Sequence, residues 1–260
     1  MGRDDAEVVR TLCDRREFLV ALRGKPREKR ALVETIGVSR STVDRAIREL
    51  WAEGLVEETD RGYRLTAVGR LAAAFTDGVL AVSRDLRAAS DVLAPLPADA
   101  PLDLRLLRNA KVAEAEPTTR SESVASVHSV FREADRLYAF AQVVTRSRTL
   151  DVLADAVDRG ATVEVVFDAR LAEELLPRMG DRVAALTARG FRPLSTDGVP
   201  FGLLLGETDD GWKTRVVTYD EDGDLRGVVA NDRPAAAAWA WDVYRSYRSR
   251  AVDLSPAFSG

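Results

Sequence analysis

Residues 16–66 carry an order of turn signals and apolar spacings that few folds can accommodate. Phe18, Leu19 and Leu22 recur at helical spacing, which predicts a first helix over 16–22. Gly24 stops it. Pro26 then suits the first turn of a second helix over 27–36, because a helix start leaves its amide protons unpaired and proline has none to lose. Ala31, Leu32 and Ile36 point inward from that second helix. Gly37-Val38-Ser39 makes a tight turn, with glycine supplying a backbone conformation that other residues resist. Ser39 is placed to cap a third helix over 40–53 with its hydroxyl.

The third helix is the most informative. At about 100° per residue, Val43, Ala46, Ile47 and Leu50 fall in one apolar stripe, while Arg40, Ser41, Asp44, Arg45 and Arg48 share the opposite face. Gly54 ends the helix, and Leu55–Glu58 and Tyr63–Thr66 read as two strands around a turn at Thr59-Asp60-Arg61-Gly62. Helix, basic helix, glycine turn, basic helix and arginine-tipped hairpin together predict a winged helix-turn-helix.

In such a unit the last helix of the motif enters the major groove of double-stranded DNA with its N-terminal residues toward the base edges. Ser39, Arg40, Ser41, Thr42, Asp44 and Arg45 occupy that position, and an arginine fork matches the two acceptors of guanine. Lys25, Arg27, Lys29 and Arg48 are better placed for phosphates, which add affinity without sequence information. Arg61 and Arg64 on the hairpin would reach the neighbouring minor groove. Each feature has a plainer alternative. The polar stripe could be a solvated face, Ser41 and Asp44 have the spacing of a capping box, and winged helices also bind proteins.

A net charge of −4 opposes DNA binding only if the charge is evenly spread. Residues 25–48 hold seven cations against three anions, a local excess of four, so the acidic surplus lies elsewhere. Screening limits the reach of a charge to about 10 Å, so the local balance governs phosphate contact.

A long helix is predicted over 67–93, with Leu71, Phe75, Val79, Val82 and Leu86 along one side. That side is a candidate dimer seam, and it could equally pack on the rest of the chain. Pro95, Pro97 and Pro101 mark a linker. Beyond it, strand and helix signals alternate, ending in a helix from Pro234 to Arg250 that carries Trp239, Trp241, Tyr244 and Tyr247. The expected fold is therefore multi-domain α/β, with a winged helix over 1–70, a linking helix and linker over 71–100, and an α/β domain over 101–260. Open α/β sheets bind ligands outside the carboxyl ends of their strands. Two such ends carry Arg146 with Ser147 and Asp168 with Arg170, where the arginines could hold an anionic effector or the short polar residues could simply cap helices. Trp212 and Tyr219 read as packing residues and His128 as exposed or capping.

A single cysteine, Cys13, lies just before the first predicted helix and excludes an internal disulfide or cysteine-based zinc site. No cofactor or metal is expected. No apolar run reaches the roughly 18 residues of a membrane span, and the first residues lack a signal peptide's apolar segment, so a cytoplasmic location is expected.

Gly37-Val38-Ser39-Arg40-Ser41-Thr42-Val43, Glu53-Gly54-Leu55-Val56 and Tyr63-Arg64-Leu65-Thr66 resemble archaeal winged-helix regulators. Val199-Pro200-Phe201-Gly202-Leu203, Val217-Thr218-Tyr219-Asp220 and Gly227–Asp232, with the Trp-rich last helix, resemble the middle domain of the methanogenesis-regulator family. The resemblance implies a dimeric transcription factor with a C-terminal domain that senses a small ligand, and a dimer would set two reading helices about one turn of DNA apart, which predicts a palindromic operator. The strand order is also similar to the phospholipase-D-like domain of TrmB-type regulators. An active domain of that kind needs a nucleophilic histidine with a lysine two residues on. His128 is followed by Ser129 and Val130, so the catalytic motif is missing and an enzyme is not expected. A protein-interaction module and, further off, a phosphodiesterase with a DNA-binding arm are the alternatives.

Overall fold

The computed structural model describes residues 5–115, 120–142 and 147–258. They divide into two compact units between Ser83 and Arg84.

The first unit opens with α1 (Asp5–Asp14) and α2 (Arg16–Ala21), followed by α3 (Lys29–Ile36) and α4 (Arg40–Ala52). Helix α1 is absent from the sequence expectation although Val8, Val9 and Leu12 stand at helical spacing; Leu12 is its one fully buried residue. Cys13 therefore sits inside a helix, exposed, rather than ahead of the first one. Gly37 closes α3 at φ 76°, a left-handed value that costs glycine nothing. Ser39 caps α4, its hydroxyl accepting the Thr42 amide at 3.2 Å, so the capping-box spacing of Ser41 and Asp44 is unused. Val43, Ala46, Ile47 and Leu50 of α4 are buried against Phe18, Leu19, Leu22 and Leu32. On α3 only Leu32 is fully buried, with Ala31 and Ile36 half-buried, so the inward face is narrower than expected.

The hairpin β1 (Val56–Thr59) and β2 (Gly62–Leu65) pairs antiparallel, Thr59 opposite Gly62. Gly62 has φ 100°, and a β-carbon there would stand 2.4 Å from the Arg27 carbonyl oxygen. That close approach lets Arg27 and Tyr63 exchange two backbone hydrogen bonds of 2.9 Å, which fastens the segment before α3 to the hairpin.

Helix α5 (Ala67–Leu93) has the predicted bounds, and the apolar side read from the sequence is not the side it buries. Small residues do the burying: Ala72, Ala73 and Thr76 in the first unit, Ala89 with Val92 in the second. Leu71, Phe75 and Leu86 stay 72%, 47% and 47% exposed, with Val79 and Val82 half-buried between them. Asp77 ties α5 to α2, accepting from Arg23 at 2.6 Å and Arg16 at 3.1 Å.

The second unit is α/β. Its elements are α6 (Leu104–Leu107), β3 (Lys111–Glu114), α7 (Arg120–Glu133), β4 (Arg136–Ala141), α8 (Ser147–Asp158), β5 (Thr162–Asp168) and α9 (Ala169–Thr187). They continue with β6 (Arg192–Thr196), β7 (Gly202–Thr208), β8 (Gly211–Tyr219), β9 (Leu225–Ala230), α10 (Pro234–Arg248) and β10 (Val252–Asp253). Among the described residues these strands form one eight-stranded sheet in the order β10-β6-β5-β4-β7-β8-β9-β3. Strands β4, β5 and β6 are parallel, and the remaining neighbours pair antiparallel. One face packs on α7, α8 and α9, and the other on α6 and α10, giving three layers and two cores. The sequence lacks clear signals for α6, β3 and β10, which are short, and it shows a polar helical stretch around His128 without the bounds of α7, which is serine-rich with a weak apolar stripe. His128 falls mid-helix in α7 and is half-buried, so it is neither exposed nor capping.

Glu164 of β5 is a buried carboxylate, 5% exposed, beneath α10. It accepts from the Tyr244 hydroxyl at 2.6 Å and from Arg248 Nε at 2.9 Å, and pairs with Arg192 at 3.0 Å. Burial works to raise its pKa, but the hydrogen bonds from Arg248 and Tyr244 and the two positive charges outweigh that and hold it below the ordinary carboxylate value. A depressed carboxylate stabilises the fold above its unfolded pKa and loses that contribution as pH falls through the folded value. Wild-type protein should therefore lose stability as the pH falls below about 4. Glu164→Gln should flatten that acid limb while lowering stability at pH 7 by about 1–3 kcal/mol, read by urea melts at both pH values.

No helix among the described residues is long and apolar enough to cross a membrane.

Candidate nucleic-acid interface

The buried stripe of α4 fixes how its other face is presented. With Val43, Ala46, Ile47 and Leu50 held in the core, Arg40, Ser41, Arg45 and Arg48 are all exposed on the outer side. At the N-terminal end, the Ser39 hydroxyl lies 2.9 Å from that of Ser41 and 2.8 Å from that of Thr42. These three hydroxyls and the cap form one small polar cluster at the mouth of the helix.

The cations divide into two groups. Lys29 Nζ donates to Asp44 Oδ1 at 2.6 Å and sits 5.6 Å from the centre of the Tyr63 ring. The Lys29 hydrogen bond, foremost, lowers the Asp44 pKa, with Arg40 and Arg48 adding weaker attraction. Arg27 donates from Nε to the Ala21 carbonyl at 2.8 Å and from its terminal nitrogen to Thr35 at 3.1 Å. Arg64 pairs with Glu57, its cross-strand neighbour, at 2.6 Å. These contacts join α3 to α4, brace the loop before α3 and zip the hairpin. Three of the cations expected to meet DNA are thus engaged in holding the unit together. Local charge counts in the sequence cannot separate such bracing residues from available ones.

Lys25, Arg40, Arg45 and Arg61 are the second group: exposed, with no ion pair among the described residues. Arg48 reaches back from Nε to the Asp44 carbonyl at 3.2 Å and stays exposed. Arg61 is at the hairpin tip, where its amide donates to Thr59 at 3.3 Å. Two free arginines near the start of α4, one at the hairpin and a lysine before α3 can pair with acceptors on a polyanion without first breaking an internal bridge.

Of the effector residues expected at the sheet's strand ends, the structure describes the side chains of Asp168 and Arg170. Asp168 caps α9, its carboxylate accepting the Arg170 amide at 3.0 Å, and Arg170 points to solvent. Arg146 and the side chain of Ser147 lie outside the described residues. Trp212 packs on Trp241 at 6.1 Å between ring centres. No group of three metal-ligating side chains occurs among the described residues. A polar cleft of about 620 Å³ near the start of β3 went unread in the sequence. Within it the buried Arg215 is bonded to Ser126 at 3.0 Å, to the Thr214 carbonyl at 2.8 Å and to Asp232.

These features define a chain in which a winged helix-turn-helix precedes a mixed-sheet α/β unit. Residues 121–250 match the family model described as Methanogenesis regulatory protein FilR1, middle domain, and the chain belongs to that family. Residues 3–87 match the model of the HVO_A0261 N-terminal domain. The methanogenesis regulatory protein FilR1 of Methanothrix harundinacea is 22% identical over 248 residues, covering 91% of this chain and 55% of that protein. The chain thus spans about half the length of this curated relative. Among solved structures, TrmBL2, described as an archaeal chromatin protein, overlaps at a TM-score of 0.42 with 15% identity and 83% coverage of each chain. A phospholipase D family member, Nuc from Salmonella typhimurium, overlaps at 0.43 with 14% identity, covering 56% of this chain and 97% of that one. The fold assignment rests on the sheet order above rather than on these partial overlaps.

Proposed function

We propose that this chain is a sequence-specific transcriptional regulator that binds double-stranded DNA through its winged helix and acts without catalysis. The observation that carries the reading is the outer face of α4, where Arg40 and Arg45 stand unpaired beside the Ser39–Ser41–Thr42 cluster. In this reading Arg40, Ser41 and Arg45 face base edges, Lys25 and Arg48 meet phosphates, and Arg61 follows the minor groove. Lys29, Asp44, Arg27 and Arg64 position these groups rather than touch DNA. The regulatory name of the FilR1 relative supports the role. The regulator works as a homodimer joined along α5 on a palindromic operator, and the α/β unit senses a small ligand. The lone histidine, His128, with Ser129 and Val130 after it, supports a non-enzymatic α/β unit.

The test is duplex binding by fluorescence anisotropy across a salt series. Log affinity should fall linearly with log salt, at a slope of about −0.9 per phosphate contacted. Lys25→Ala should make the slope shallower by about one and weaken all duplexes alike. Affinity indifferent to salt would instead favour a winged helix that binds protein.

A further inference from the structure

The carboxyl ends of β4 and β5 come together with the start of β7 and the end of β8 at one edge of the second unit. Between these strand ends and helices α7 and α8 lies a cavity of about 80 Å³. Its walls include Phe131, Leu153, Phe167, Leu203 and Val217, and none of the described side chains that line it carries a charge. Among the described residues Tyr219 contributes the one polar lining side chain. Its hydroxyl has no hydrogen-bond partner among the described residues. Burial pushes the phenol up to about 12, so at neutral pH it is a protonated donor. Gly202 makes room for the ring: a β-carbon there would lie 3.3 Å from Tyr219 Cε2 and 3.0 Å from Val217 Cβ.

The half-buried Tyr219 hydroxyl, with no partner among the described residues, is open to an acceptor that enters the cavity, and ligands of open α/β sheets bind at this end of the strands. We infer that this cavity takes a small uncharged molecule with an apolar body and a single hydrogen-bond acceptor, which the Tyr219 hydroxyl recognises. A charged ligand would lose its hydration here and find no counter-charge among the described lining groups. The volume is about half that of the ~150 Å³ apolar cavity known to take up benzene, which suits a compact molecule of about four non-hydrogen atoms. Asp168 and Arg170, the effector candidates described at this end, are not among the lining residues. The ligand class deepens the sensing role proposed above and rests on it. The binding test contains no DNA, so failure to bind ligand and failure to bind an operator are separate results.

Acetone and acetate have the same size and shape but differ in charge, and xenon reports an apolar cavity without hydrogen bonding. The full chain, labelled at Leu and Val methyls, is titrated with each and followed by NMR. Acetone and xenon should give saturable shifts at Leu203 and Val217, and acetate none. Tyr219→Phe should weaken acetone about five-fold, the factor expected for one net hydrogen bond, and leave xenon unchanged. Ala141→Leu, which adds bulk to a lining position, should remove both responses while the thermal transition persists. Shifts with acetate equal to those with acetone, acetone binding untouched by Tyr219→Phe, or no saturable shift in the wild type would each overturn the inference.

Discussion

Alanine at both Arg40 and Arg45 is expected to lower affinity for a selected operator by about 100-fold or more while changing affinity for random duplex far less. Each arginine that reads a guanine with its fork contributes about 1–3 kcal/mol of discrimination, and two such contacts on one helix lie close to additive. The substitution isolates recognition from folding. Both side chains are exposed and unpaired, and alanine is the best helix former, so α4 and its buried stripe should persist. The measurement is the ratio of operator to random-duplex affinity, by anisotropy at fixed salt. If both duplexes weaken equally, Arg40 and Arg45 are phosphate contacts and α4 is not the reading helix. Lys29→Ala should act differently, because it removes the 2.6 Å bridge to Asp44 that joins α3 to α4. It should lower the thermal stability of the first unit and weaken operator and random duplex together.

That contrast shows where residue patterns speak and where they fall silent. The bounds of α4 and α5, the Ser39 cap and the turn at Gly37 were all legible, because each follows from apolar period or local backbone chemistry. The strand–helix alternation of the second unit was legible for the same reason, since β4 and β5 are apolar runs separated by a helix that ends at a glycine. Partnerships between distant residues were not. Arg27 and Arg64 look like Arg40 and Arg45 in a string of letters, and only the fold places Glu57 or the Ala21 carbonyl beside them. Glu164 is a similar case: a charge in the middle of an apolar strand is unreadable until Tyr244 and Arg248, some 80 residues on, close over it. At the strand ends the sequence left an anion site or helix caps open, and Asp168 takes the second role at the start of α9, while the described residues lining the cavity near it are apolar groups and one phenol.

Helix α5 yields the other large expected effect. Of its outward residues, Leu71, Phe75, Val82 and Leu86 are placed symmetrically about the Gly78–Val79 bond, with Val79 beside it. An antiparallel copy related by a two-fold axis at that point would set Leu71 against Leu86 and Phe75 against Val82 of its partner. Nothing lies within 4 Å of where a Gly78 β-carbon would be, so two helices could approach closely there. Five partly exposed apolar side chains from each protomer, at about 1 kcal/mol apiece, give a gross gain on the order of 10 kcal/mol. Association itself costs at least about 4 kcal/mol, so such a seam would be of modest strength and sensitive to substitution. Leu71→Glu with Phe75→Glu removes four of those ten groups across the dimer and places like charges on both helices. The loss of about 4 kcal/mol should weaken self-association about 1000-fold, converting a dimer to monomer in light scattering at micromolar concentration. Because both positions face solvent, the fold of each protomer should be unchanged by circular dichroism. A dimeric regulator reads two half-sites about one DNA turn apart, so the variant should keep half-site affinity and lose most of its preference for the full palindrome. Retention of the dimer by this double variant would place the two-fold elsewhere on the chain.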